Sequence, residues 1–209
     1  MPSLTLYHAA PSRSSIAHWM LEEVGEPYDI HPINLEKGEN RKPEYLAVNP
    51  MAKVPALRHG DAVITEAAAI CAYLADEYPN AKLNIPVGTP SRGAYLRWLF
   101  FGPSCLEPAI MERAYPRRES PPRAALGFGE YDTVIDVLAK AAGAARPYLM
   151  GERFTAADVV IGSGLRWGMM FKLLPERPEF TAYLARLNER PALKRATEKD
   201  RKLQAEQGG

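Results

Sequence analysis

Asn49-Pro50-Met51-Ala52-Lys53-Val54-Pro55-Ala56-Leu57-Arg58-His59-Gly60-Asp61-Ala62-Val63-Ile64-Thr65-Glu66-Ala67 is the stretch that decides how the first part of this chain folds. Ala56-Leu57-Arg58 and Ala62-Val63-Ile64 are short strand-forming runs, and the Gly60-Asp61 pair between them is a hairpin signal. Proline at a strand's first position has no N–H to give to the ladder, so Pro55 marks the entry to the first of these strands. The Val54-Pro55 bond has two readings. One is an ordinary trans entry; the other is a cis bond, found in about 5–6% of X-Pro pairs, that turns the Val54 N–H and C=O outward. Beyond the hairpin, Ala67, Ile70, Cys71, Leu74 and Tyr78 recur with helical spacing and stop before Pro79.

On the N-terminal side, Leu4-Thr5-Leu6-Tyr7 predicts a strand, followed by a turn-rich stretch from Ala9 to Ser15. Ile16, Trp19, Met20 and Val24 line one face of a helix that stops at Gly25. Tyr28 to Ile33 predicts a second strand and Pro43 to Val48 a short helix. The order is β-α-β-α-β-β-α. A helical crossover makes the first two strands parallel and the hairpin adds an antiparallel pair, giving a small mixed sheet with helices packed on it.

On the C-terminal side, Pro86, Gly88 and Pro90 break both periodicities, and residues 81–87 read as a linker. After them only helical patterns appear. One begins at Tyr95, Trp98 and Leu99 and is interrupted at Gly102-Pro103 and Pro108. Others follow Val134 to Ala145, the very apolar Ala157 to Trp167, Phe180 to Leu187, and a last helix opened by Pro191 with a frayed end from Gln204. The fold class is thus α/β plus all-α. A first domain spans 1–80 and an all-helical domain spans 88–209.

Composition narrows the function. With 26 Lys+Arg against 25 Asp+Glu the formal charge is +1, and 46% hydrophobic with 24% charged residues is an ordinary globular balance. No basic excess draws the chain to nucleic acid. No run reaches about 18 apolar residues and the N-terminus lacks a signal-peptide pattern, so no membrane partner is expected and the expected place is the cytoplasm. Two cysteines make neither a disulfide framework nor a four-cysteine zinc site. His8, His18, His31 and His59 have no metal-ligand spacing, so no metal is expected.

The βαβαββα order with a proline before its third strand resembles the thioredoxin-like fold. With an all-helical second part, the chain resembles the cytosolic glutathione transferase family. Three segments carry the resemblance in order: Asn49 to Leu57, similar to the family's NPxxKVPAL; Glu66-Ala67-Ala68-Ala69-Ile70-Cys71-Ala72-Tyr73-Leu74, similar to its ExxAIxxYL; and Phe154-Thr155-Ala156-Ala157-Asp158, similar to its F-T-x-A-D. It covers roughly residues 4–200.

The resemblance implies an enzyme that binds glutathione as co-substrate and activates its thiol for attack on a hydrophobic electrophile, a role in detoxification, and a homodimer. Glutathione offers two carboxylates, an ammonium and a thiol. Glu66 would pair with the ammonium, and the first-turn N–H groups from Ala67 onward would receive a carboxylate. The family usually has Ser or Thr where this chain has Ala67, so one hydroxyl donor is missing. Val54, beside Pro55, would pair its backbone with the cysteinyl part as an added strand. Lys53 and Arg13 are further anion candidates.

The thiol itself needs a donor. Its ordinary pKa is about 8.5, and lowering it by two units takes about 2.7 kcal/mol of preferential thiolate stabilisation. A hydroxyl at the start of the first helix can supply much of that. Ser12 is the first choice and Ser14 the second, with helix capping the competing role and Tyr7 a third candidate. Tyr95, Trp98, Phe101 and Tyr115 are candidates for the electrophile pocket, or core residues at helical spacing. Thr155 and Asp158 form a capping box and belong to folding. Two other readings stay open: a glutathione-dependent peroxidase or disulfide reductase, and a non-catalytic binding protein on the same scaffold.

Overall fold

A computed structural model describes residues 3–119 and 121–207. In chain order its elements are β1 (Leu4–His8), α1 (Ser14–Val24), β2 (Tyr28–Pro32), α2 (Pro43–Leu46), β3 (Ala56–His59), β4 (Ala62–Thr65), α3 (Ala67–Glu77), α4 (Arg92–Phe101), α5 (Glu107–Ala114), α6 (Tyr131–Ala144), α7 (Ala156–Met170), α8 (Pro178–Asn188) and α9 (Pro191–Gln207). They form two compact units, residues 1–81 with 190–209 and residues 82–189. The first is a thioredoxin-like βαβαββα domain carrying the last helix; the second is helical.

In the first unit the sheet order is β2-β1-β3-β4. β1 runs parallel to β2, and β3 is antiparallel to both β1 and β4. Strand alternation sorts β1: Leu4, Leu6 and His8 are buried on one face, while Tyr7 packs with Ile33, Tyr45 and Ala56 on the other. α1 ends where expected, at Gly25 with φ 80°, a left-handed cap that glycine adopts at little cost.

α1 buries more than the expected stripe. Trp19 and Met20 are buried, but so are Ala17, His18, Leu21 and Glu22, while Ile16 and Val24 are only half-buried. The reason is α9, which packs on α1 and covers what reads in sequence as its polar side. Arg190 makes a two-pronged contact with Glu23 at 2.6 Å per bond, and Arg195 and Lys199 each reach Glu22 at 2.6 Å. The span 88–209 expected as one domain therefore gives up its last helix to the first unit, and α9 continues as helix through Gln207 instead of fraying from Gln204.

In the second unit the prolines act as expected on α4. It passes at Gly102 into a π-helical turn, Gly102–Leu106, before α5 resumes with Pro108 in its first turn. α7 buries ten of its residues, and a Cβ added to Gly164 would lie 2.6 Å from the Leu106 Cδ2, so the Leu106 side chain would have to shift for a larger residue there. The capping box is present in both arms at Thr155 and Asp158. Asp158 is buried and also accepts from Leu149 N at 2.8 Å and the Tyr183 hydroxyl at 2.7 Å. No helix among the described residues is long and apolar enough to cross a membrane.

Candidate functional site

Sheet register brings the sequence candidates to one edge. Tyr7 of β1 pairs with Ala56 of β3, which pairs with Thr65 of β4. The β1–α1 turn with Ser12 and Arg13, the Val54-Pro55 entry to β3 and the Glu66-Ala67 exit from β4 therefore leave the same end of the sheet. The Val54-Pro55 bond is cis. Just before it, the Lys53 carbonyl accepts from the Tyr45 hydroxyl at 2.6 Å and from Asn49 Nδ2 at 2.7 Å. These bonds brace the backbone on which Val54 stands. The Lys53 side chain is exposed, Val54 is half-buried and Pro55 is buried.

Glu66 is the strained member. It is exposed, precedes the first turn of α3, and holds φ 66° with ψ 118°, a region that non-glycine residues seldom occupy. Such a backbone costs on the order of 1–3 kcal/mol and clusters at ligand sites. No side chain caps α3. The N–H groups of such a first turn can receive an anion, the role expected at Ala67.

At the β1–α1 turn, the two serines part company. Ser12 is half-exposed; its hydroxyl donates to the Ala9 carbonyl at 2.6 Å and accepts from Ser14 N at 3.1 Å. Ser14 is fully buried. Its Oγ lies 2.7 Å from Ser12 Oγ, 2.7 Å from His8 Nδ1 and 2.9 Å from the Ala9 carbonyl, and accepts from Ala9 N at 3.0 Å. Of the two candidate serines, Ser14 has no exposed surface and Ser12 is half-exposed. Arg13 is exposed at the N-cap position of α1.

Tyr7 points to the opposite face from His8. Its ring lies against His31 and Tyr45 with Arg58 above it. It borders a cavity of about 820 Å³ with His31, Tyr45 and Arg58, which none of the other candidate residues of the first unit lines. In the second unit Tyr95 and Trp98 are buried, at 1% and 7% exposure, so their rings belong to packing. Phe101 is half-buried and Tyr115 is exposed. Cys71 is fully buried, and burial pushes its thiol well above the ordinary range.

Sequence reasoning missed His8, His18 and Asp200 as a group. Asp200 Oδ1 lies 3.0 Å from His8 Nε2 and is also hydrogen bonded to His18 Nδ1; Ser15 Oγ donates to Asp200 Oδ2. Beyond, His18 Nε2 lies 2.9 Å from the Tyr28 hydroxyl, which donates to Glu22. Burial works to raise the Asp200 carboxyl, but hydrogen bonds from His18 and His8 outweigh it and hold it well below the usual range. The three groups converge within 4.8 Å, yet direct hydrogen bonds join them. Two ligands of one zinc ion stand about 3.4 Å apart when bonds are about 2.0–2.1 Å and tetrahedral, wider than the 3.0 Å seen here. A signal was present in the pattern: position 8 shares the buried face with Leu4 and Leu6, where a histidine needs a partner.

Two family models match the chain: the N-terminal domain of glutathione S-transferase over residues 2–76 and its C-terminal domain over 114–191. The chain is 30% identical over 199 residues to the glutathione S-transferase GstA of Escherichia coli O157:H7, covering 92% of this chain and 96% of that one. Among solved structures it is similar to a glutathione transferase of Methylococcus capsulatus str. Bath, with TM-score 0.76 and 30% identity over 94% of this chain and 98% of that one. The glutathione transferase URE2P6 of Phanerochaete chrysosporium, solved with oxidized glutathione, gives TM-score 0.80 and 28% identity over 97% and 98%.

Proposed function

This chain belongs to the glutathione S-transferase family, and from that premise we propose that it binds glutathione at the β1–α1, Val54 and Glu66 edge and activates its thiol for transfer to a hydrophobic electrophile. The observation that carries the reading is Glu66: a non-glycine residue at φ 66° beside the uncapped N-terminus of α3. That strain has a use if the carboxylate must meet an ammonium while the helix N–H groups meet a carboxylate.

In this reading Val54 pairs main chain to main chain with the cysteinyl part, placing the sulfur toward the β1–α1 turn. Ser12 turns its proton from the Ala9 carbonyl, 2.6 Å away, to the sulfur. The α1 N-terminus adds a favourable field for the thiolate. Arg13 and Lys53, both exposed, are the candidates for glutathione's other carboxylate. Phe101 and Tyr115 are the aromatic candidates of the second unit with accessible surface for an electrophile. A cytoplasmic homodimer is the form the family supports.

The test is a calorimetric titration with glutathione across pH, with the thiolate ultraviolet band followed in parallel. Micromolar to low millimolar binding with thiolate near neutral pH is expected, and Glu66→Ala should weaken binding at least tenfold. Binding without thiolate would favour a non-catalytic protein. Oxidised glutathione formed at the expense of peroxide would favour the peroxidase reading.

A further inference from the structure

Behind Ser12 runs a chain of hydrogen-bonding groups with no break. Ser12 Oγ and Ser14 Oγ are 2.7 Å apart, Ser14 Oγ and His8 Nδ1 2.7 Å, and His8 Nε2 and Asp200 Oδ1 3.0 Å. Ser12 is half-exposed, whereas Ser14 and His8 are fully buried and the Asp200 side chain is 16% exposed. Water therefore meets the chain at its two ends, Ser12 and Asp200, and is kept from Ser14 and His8 between them. All of these groups belong to the first unit.

We infer that the site deprotonates glutathione through this chain, with the buried His8 as the final proton acceptor and Asp200, delivered by the last helix, as the positioning residue. The inference rests on the glutathione-binding reading of the same site. A carboxylate only accepts hydrogen bonds, so Asp200 fixes the His8 proton on Nε2 and leaves the Nδ1 lone pair facing Ser14. The transfer then balances at every atom. The thiol proton passes to Ser12 Oγ as the Ser12 proton passes to Ser14 Oγ and the Ser14 proton to His8 Nδ1. The S–H bond breaks, an N–H bond forms, both serines end as neutral hydroxyls, and the electron pair stays on sulfur. In the product state each group in the line donates toward the thiolate end except His8 Nε2–H, which donates to Asp200. The order of hydroxyl, imidazole and carboxylate is that of an activated nucleophile and its oriented base. Here the buried hydroxyl is a conductor, since it has no access to a substrate.

The groups facing His8 set how easily it takes the proton. Asp200 on α9 places a carboxylate oxygen 3.0 Å from His8 Nε2. His18 on α1, ring centroid 4.9 Å away, competes for the same carboxylate oxygen. Beyond His18 stand Tyr28, the carboxylate of Glu22, and the cations Lys199 and Arg195 that bind it. Removing Asp200's charge should therefore hinder proton uptake, and removing His18 should ease it. A merely structural role would move both in the same direction.

The experiment measures the pH midpoint of thiolate formation by bound glutathione in the wild-type chain, His8→Gln, Asp200→Asn and His18→Leu. Proton release on binding is read by calorimetry in buffers of different ionisation enthalpy. His8→Gln and Asp200→Asn should cut the thiolate fraction at neutral pH about tenfold or more, within the range of general-base contributions. His18→Leu should raise it. Glutathione affinity measured at low pH, where the thiol stays protonated, should change less than about threefold in all of them, which shows that the site still folds. The wild-type chain should form thiolate while releasing well under one proton, because His8 keeps it; His8→Gln should release close to one. Equal midpoints in wild type and His8→Gln, or shifts of the same sign in Asp200→Asn and His18→Leu, overturn the relay while leaving the glutathione reading intact. So does a stoichiometric divalent metal on the purified chain whose removal by chelation shifts the wild-type midpoint. Failure of the wild-type chain to bind glutathione overturns both.

Discussion

Each of the two units has an aspartate at the centre of a hydrogen-bond cluster, Asp158 fully buried and Asp200 part-buried, and the two are held in different ways. Asp158, in the second unit, accepts four hydrogen bonds from neutral donors: Leu149 N, Thr155 N, Thr155 Oγ1 and the Tyr183 hydroxyl. Burial is the largest influence on it and pushes its carboxyl up despite those bonds. Asp200, in the first unit, is held by two imidazoles and the Ser15 hydroxyl, and its carboxyl is held down. Asp158 caps the start of α7, and its four donors are two amides and two hydroxyls. Asp200's partners lead on through His8 and Ser14 to the half-exposed Ser12. A buried acid surrounded by amides and hydroxyls serves as a knot in the fold, whereas one surrounded by groups that can change protonation can also serve chemistry.

The contrast breaks first, and with the largest effect, at Asp158. Asp158→Ala strands three buried donors besides the Leu149 amide and should cost about 3–5 kcal/mol. In a chain of this size that is a fall in Tm of about 10 °C or more, read by circular dichroism. Thiolate formation at a temperature where the variant stays folded should be unaltered. A loss below about 1 kcal/mol would mean that water replaces the carboxylate and the knot is loose. Asp200→Asn comes next. It keeps the shape but takes the charge from two imidazoles and loosens α9, for about 2–3 kcal/mol in urea denaturation. Here the thiolate midpoint should move as well. Loss of stability with an unmoved midpoint would make Asp200 a knot like Asp158.

The same contrast explains what could be read from sequence. Thr155-Ala156-Ala157-Asp158 is a local pattern, three residues long in its reach, and local hydrogen bonds follow from spacing alone. So do the hairpin at Gly60-Asp61, the stop at Gly25 and the βαβαββα order. Nothing local joins His8 to Asp200, which are 192 positions apart. Their meeting depends on α9 folding back onto α1, and α9 reads as an ordinary surface helix because the charges that dock it, Arg190, Arg195 and Lys199, look solvated. The candidate site is legible where it rests on backbone geometry, at Val54-Pro55 and Glu66. It was ambiguous where side chains compete, since both Ser12 and Ser14 precede or open α1 and only burial separates them. Tyr95 and Trp98 were equally ambiguous, because helical spacing alone does not tell a lining residue from a packed one.

Acid should separate the two units in sign. Burial raises the Glu22 carboxyl, but hydrogen bonds from Lys199, Tyr28 and Arg195 prevail and bring it down to about 2 from an ordinary 4.5. A carboxyl depressed in the folded state stabilises fully above its unfolded pKa, and that contribution is lost as pH falls from about 4.5 toward 2. Asp200 acts in the same direction. Discounted for the half-exposed Lys199 and Arg195, Glu22 contributes about 2 kcal/mol. Asp158 is raised, so the folded second unit binds its proton more readily than the unfolded chain and gains from the same acidification. Hydrogen exchange below pH 4.5 should show amides of α1 and α9 losing protection before those of α7. Loss in α7 first would reverse the assignment of the two aspartates.

The smallest effect sharpens the contrast most finely. Ser15→Ala removes one donor from Asp200 Oδ2 and nothing from the Ser12–Ser14–His8 line. Losing a hydrogen bond to a charged acceptor costs about 1.5–3 kcal/mol at most, and Asp200 keeps both imidazoles. Alanine in the first turn of α1 returns about 0.5 kcal/mol of helix propensity. The net loss should be about 1 kcal/mol. With one donor fewer, the carboxylate leans harder on His8 and His18, so the thiolate midpoint of bound glutathione should fall slightly although the protein is less stable. Stability and thiolate formation moving in opposite directions at one residue is what a relay anchored on Asp200 requires. A midpoint that rises with the loss of stability would place Ser15 and Asp200 together in the scaffold alone.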